Sequence, residues 1–155
     1  DHFRRSHQNG LMASPKMIRE MILPYHKRLI EHIKSKADVK MTLHSCGSVS
    51  DALPDILEAG FDCLNPVQIS AAKMEPEYLK KTFGKDVTFW GGGINTQDTL
   101  PKGTPEQVRD ETKRIIDTFA PGGGFVFSAV HNIQDDVSAE NFMAMWETFQ
   151  DNCKY

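Results

Sequence analysis

His44 and Cys46, one residue apart in Leu43-His44-Ser45-Cys46-Gly47, are the side chains of this sequence best suited to chemistry. Imidazole nitrogen and thiolate sulfur are both good zinc ligands, so the pair points to Lewis-acid chemistry. The alternative is a buried thiol beside a histidine bonded to backbone. His-x-Cys is a short pattern, and a metal site needs a third ligand. Cys63 qualifies by type, but it falls near the amino end of its expected strand, about 15 Å from the other end, and reads as core; Cys153 lies near the C-terminus. His131 follows the last expected strand, at the same end as His44. It would complete a His/Cys/His set with an open fourth position, the arrangement catalytic zinc requires.

Other groups fall at the same end of the expected strands. Asn65 and Gln68 offer amide donors and acceptors that could tie a loop or contact a substrate, and Asn132 stands beside His131. Gly91-Gly92-Gly93 and Gly122-Gly123-Gly124 match no phosphate-loop pattern and read as tight turns, although Gly92 and Gly93 could line the mouth of a site. Trp90 reads as a packing residue, with ligand stacking as the alternative. Asp135 and Asp136 read as solvated or as support for an imidazole, and His26 and His32, among Lys27, Arg28 and Lys34, as surface residues.

The elements that must position these groups alternate. Ser14-Pro15 reads as an N-cap and first helical residue, with Met17, Met21, Ile22, Tyr25, Leu29 and Ile33 recurring at helical spacing and a bend expected near Pro24. Strands are predicted over residues 39–44, 61–65, 87–90 and 125–130. Helices are predicted after each, opened by Ser48 with Asp51 in capping-box spacing, by Pro76, by Thr104-Pro105-Glu106-Gln107 and by Ser138. The last carries Phe142, Met145, Trp146 and Phe149 on one side. A helix followed by four strand-helix units implies a parallel sheet, either open or part of a barrel. In such sheets ligands bind at the carboxyl ends of the strands, which is where the candidates above collect.

Composition narrows the class. The chain has 155 residues, 39% hydrophobic and 25% charged, with a net charge of -3, which suits one globular domain and gives no attraction to nucleic acid or an acidic membrane. No apolar run is long enough to span a bilayer, and three irregularly spaced cysteines suit a reducing compartment, so cytoplasm is the expectation.

Together, Leu43-His44-Ser45-Cys46-Gly47, Leu64-Asn65-Pro66-Val67-Gln68, Phe89-Trp90-Gly91-Gly92-Gly93-Ile94 and Val130-His131-Asn132-Ile133-Gln134, followed by Ala139-Glu140-Asn141, closely resemble the uroporphyrinogen decarboxylase superfamily. That superfamily includes zinc-dependent methyltransferases that move methyl groups between a corrinoid protein and coenzyme M or a similar acceptor. The resemblance implies an α/β fold, the C-terminal half, about four β/α units, of a (β/α)8 TIM barrel. A whole barrel takes about 250 residues, so the other half would be missing from this chain or supplied by another, with a homo-oligomer as one route to closure. His44 and Cys46 match the first two zinc ligands of the methyltransferases. Their third is a cysteine nine residues before a Glu-Asn pair, and counting back from Glu140 gives His131. The decarboxylases, metal-free, also carry a histidine near this position and draw essential arginine and aspartate largely from the N-terminal half. Arg4-Arg5-Ser6-His7 stands where relatives have an acidic, glycine-containing stretch, so within a single domain over residues 1–155 the start, residues 1–13, is read as non-native or disordered.

The resemblance therefore implies a zinc-dependent methyltransferase working between a corrinoid and a thiol, with His44, Cys46 and His131 catalytic and metal-binding and Asn65, Gln68, Gly92, Gly93 and Asn132 contacting substrate. Zinc and a corrinoid are the expected cofactors, and a small thiol or tetrapyrrole and a corrinoid protein the expected partners. The alternatives are a metal-free uroporphyrinogen decarboxylase and an inactive half-barrel fragment.

Overall fold

When strands alternate with helices, each helix returns the chain to the end where the next strand starts, and the strands pair in parallel. The computed structural model, which describes residues 8–153, has that arrangement. Strands β1 (Thr42–His44), β2 (Cys63–Asn65), β3 (Thr88–Trp90) and β4 (Phe125–Val126) form one sheet in the order β1-β2-β3-β4, every pair parallel. Spatial order equals chain order, so the sheet winds in one direction and has no switch point of the doubly wound kind.

The register sets Leu43, Leu64, Phe89 and Phe125 side by side. That row packs with Leu53, Ile56, Leu79, Ile115 and Phe119 in the main core. Alternation along each strand turns Thr42, His44, Cys63, Asn65, Thr88, Trp90 and Val126 to the opposite side, where Cys63 is buried but Trp90 is 43% exposed and His44 is also exposed. One side of the sheet is thus a packed floor and the other is largely open.

The helices are α1 (Pro15–Met17), a π turn (Ile18–Ile22), α2 (Leu23–Lys34), a 3-10 turn (Ser50–Ala52) leading into α3 (Leu53–Glu58), α4 (Pro76–Phe83), α5 (Thr99–Lys102), α6 (Pro105–Phe119) and α7 (Ala139–Asn152). Ser14 caps α1 by accepting from Met17 N, Ser138 caps α7 through Asn141 N, and Thr104 and Gln107 form a reciprocal capping box on α6. Among the described residues no helix is long and apolar enough to cross a membrane.

Several local expectations change. The irregularity expected at Pro24 is a π turn directly upstream: proline lacks an N–H and its ring crowds the carbonyl four residues back, so the backbone widens there. Ser48 is buried and caps nothing; the chain enters its helix through Ser50–Ala52 instead. The strands are shorter than predicted, yet pairing continues past β4, where Gly93 N donates to Ser128 O at 2.8 Å. The periodic residues of the first helix are not core. Met17, Met21, Ile22, Tyr25 and Leu29 are exposed, Met21 to 63%, while Leu23 and Ile30 are buried. Arg19 fastens this helix to α3 by two bonds of 2.9 Å to the Asp55 carboxylate, and the guanidinium holds that carboxyl below its ordinary pKa.

A second core beneath α5, α6 and α7 holds Ile94, Leu100, Val108, Ala144 and Met145. Buried Asn141 crosses it, its Nδ2 donating to Leu100 O at 2.9 Å and Gly103 O at 2.8 Å, where α5 ends. Of the start read as non-native or disordered, residues 1–7 lie outside the described residues. Within 8–13, Gln8 O accepts from Ala72 N at 2.8 Å and Leu11 packs against the main core.

Candidate active site at the carboxyl end of the sheet

β1 ends at His44, but the chain stays beside β2 for another residue because Ser45 N donates to Asn65 O at 2.8 Å. Gly47, at φ +90, then turns the chain away in a conformation other residues rarely adopt. Its N–H is held by the buried Gln68 Oε1 at 2.7 Å. Cys46 is therefore fixed on both sides, by a strand before it and a pinned amide after it. Its Sγ lies 3.9 Å from His44 Nε2. Zinc bonds of tetrahedral geometry would separate the two atoms by about 3.6 Å. The pair fits a zinc ion as two of its ligands with a small adjustment, and both side chains are exposed at the open side of the sheet.

His44 Nδ1 lies 2.8 Å from Asn65 Oδ1, and Asn65 Nδ2 donates to Trp90 O at 3.3 Å. Trp90, read as a packing residue, lies on the open side of the sheet and is 43% exposed. Gln68 contacts the loop rather than the open space. Gly92 and Gly93 are buried, and a Cβ on either would collide, with Val67 at 2.8 Å and with the Phe127 ring at 2.5 Å, so close packing accounts for both. His131 and Asn132 lie on the exposed loop after β4, with His131 Nδ1 3.3 Å from Asn132 O. The structure brings His44 and Cys46 together but does not bring His131 to them: among the described residues no three His, Cys, Asp or Glu side chains gather closely enough to hold a metal.

Cys63 is buried, and burial pushes its thiol above the ordinary value. It is only two residues from Asn65 in β2, about 7 Å, half the distance expected from a longer strand. His26 is no simple surface residue, for its ring meets Phe61 edge-on with centroids 5.6 Å apart. One residue without a sequence signal also shapes this end of the sheet. Gln97 Oε1 accepts from Gln8 Nε2 at 2.8 Å and Ser70 Oγ at 3.2 Å, joining the loops after β2 and β3 to the start of the described chain.

Residues 6–151 match the family model of uroporphyrinogen decarboxylase (URO-D). A methylated-thiol–coenzyme M methyltransferase of Methanosarcina mazei is 33% identical over 105 residues, 68% of this chain and 26% of that protein. A uroporphyrinogen decarboxylase of Pseudoalteromonas translucida is 28% identical over 138 residues, 85% of this chain and 36% of that protein. The solved structure of a methyltransferase from Methanosarcina mazei shares the fold, with a TM-score of 0.67 over 90% of this chain and 38% of that one, at 20% identity. The chain spans 26–36% of the length of these two sequence relatives. Because the family match runs from before α1 into α7 and takes in every strand end described above, the chain belongs to the uroporphyrinogen decarboxylase (URO-D) family.

Proposed function

We propose that this chain is the C-terminal half of a (β/α)8 barrel whose mouth carries a zinc-dependent methyl transfer site, working between a corrinoid and a small thiol. The observation that carries the reading is the approach of His44 Nε2 to Cys46 Sγ, 3.9 Å, at the carboxyl end of a parallel sheet. The relative named as a methylated-thiol–coenzyme M methyltransferase supports the choice of branch. The half-barrel reading is supported by the two edges of the sheet, β1 and β4, with one neighbour each, and by the short span of the relatives covered.

Zinc bound at the pair would supply Lewis acidity, lowering the pKa of an acceptor thiol so that it reacts as a thiolate. Cys46 would contribute an anionic ligand and His44 a neutral one. Asn132 O accepting the Nδ1–H of His131 leaves Nε2 of that ring open, and His131 is the third ligand in this reading, reached only by a movement of the loop after β4 toward the pair. Trp90 offers an apolar surface beside Asn65 for the thiol's carbon chain, and a corrinoid protein would dock over the mouth.

Zinc analysis and thiol methylation by the full-length protein test this. Stoichiometric zinc, lost together with activity in Cys46→Ala, is the expected result; full activity without zinc would overturn it. A second reading, metal-free decarboxylation of a tetrapyrrole, draws on the decarboxylase relative matching more of the chain, 85% against 68%. Uroporphyrinogen turnover by metal-stripped protein would favour it over the first.

A further inference from the structure

We infer that Asn65 selects the tautomer of His44 and is in this way the positioning residue that makes the His44–Cys46 pair able to hold a metal. The metal half of this inference rests on the function proposed above; the tautomer half does not.

The argument needs only donors and acceptors. Trp90 O is a backbone carbonyl and can only accept, so the end of the Asn65 amide that meets it at 3.3 Å is the Nδ2 donor. That leaves Oδ1 toward His44 Nδ1, 2.8 Å away. An amide oxygen cannot donate, so Nδ1 carries the hydrogen. A neutral imidazole has one N–H, and Nε2 is therefore left with a free lone pair. Nε2 is the atom that faces Cys46 Sγ. In the reverse tautomer two acceptors would oppose each other at Nδ1, and an N–H would point at the sulfur where a metal must sit.

Position in the sheet makes the relay rigid. His44 and Asn65 are register partners on β1 and β2, and β3 lies beside β2 with Trp90 one residue past the paired Phe89. The chain of bonds crosses three strands at their carboxyl ends. Histidine in water favours the Nε2–H form, so the protein must impose the other one. An amide does so without adding charge, and a zinc ion held by one thiolate and neutral groups would keep a net positive charge that attracts an anionic thiolate acceptor.

The test is nitrogen NMR on metal-free protein with isotope-labelled histidine, above the pH at which imidazole is protonated, joined to cobalt(II) titration read from the sulfur-to-cobalt charge-transfer absorption. Wild type is expected to show His44 protonated at Nδ1 and bare at Nε2. Asn65→Leu should move the proton to Nε2 and weaken cobalt binding by about 10–100-fold. Asn65→Asp keeps an acceptor and should keep the Nδ1–H form; Asn65→Ala replaces the leucine variant if circular dichroism shows that one unfolded. A wild-type His44 in the Nε2–H form, or a folded Asn65→Leu that retains Nδ1–H, would overturn the inference. A tautomer that shifts as expected in a protein that never binds cobalt would uphold the role of Asn65 on His44 and overturn the metal half together with the zinc reading.

Discussion

Two thiols, Cys63 in β2 and Cys46 just past the end of β1, differ in their surroundings, and that difference should be measurable. Burial raises the Cys63 thiol and shields it, whereas Cys46 is exposed. Alkylation at neutral pH followed by peptide mapping is expected to modify Cys46 well before Cys63; equal rates would contradict the packing of β2. Gln68 is the second residue to probe. Its Oε1 is the buried acceptor for Gly47 N, so Gln68→Leu strands a buried N–H and should cost about 1–3 kcal/mol in urea unfolding. The pair His44–Cys46 was legible in the sequence because residues two apart along an extended chain point the same way. The work of Asn65 and Gln68 was not, because it depends on which residue of one strand lies opposite which of the next. The place of His131 depends on the path of a loop, which periodicity does not encode.

The elements are held by a few polar ties between their ends. Asp62 joins three of them: its carboxylate takes Lys34 Nζ at 2.7 Å from α2 and Met41 N at 2.8 Å from the entry to β1, with Lys40 at 3.7 Å. Burial alone would raise its pKa, but the Lys34 bond, the Met41 N–H and the two lysine charges outweigh it and leave the pKa lowered. A lowered folded value means stability that is present above the unfolded pKa and is lost as pH falls through the folded one. Urea midpoints should therefore drop from about pH 4 downward, and Asp62→Asn should flatten that acid limb while costing about 1 kcal/mol at neutral pH. Asn141 acts similarly at the end of α5, where Asn141→Ala would leave Leu100 O and Gly103 O without their donor and should cost about 2 kcal/mol by thermal or urea unfolding. Helix starts at Ser14, Thr104 and Ser138 were legible because a cap is local chemistry, written within four residues. Strand lengths were not, since a strand ends where its neighbour stops pairing.

At the scale of the molecule, the apolar stripe on the first helix shows what periodicity can and cannot report. Spacing identified Met17, Met21, Tyr25 and Leu29 as one face, and the structure leaves that face exposed, Leu29 to 56%, because nothing in the described chain lies against it. The chain on its own should therefore bind a hydrophobic dye and associate at high concentration. Met21→Glu with Leu29→Glu should reduce both by light scattering and dye fluorescence while changing stability by within about 0.5 kcal/mol; a loss of stability well beyond that would place the face in the core. The order β1-β2-β3-β4 has its own consequence for how the molecule comes into being. Each strand is templated by the one made just before it, so a chain leaving the ribosome can add its units in the order of their synthesis, without waiting for a distant segment. His44 ends β1, Cys46 follows it and Asn65 ends β2, so these three residues can meet while β3 and β4 are still being translated.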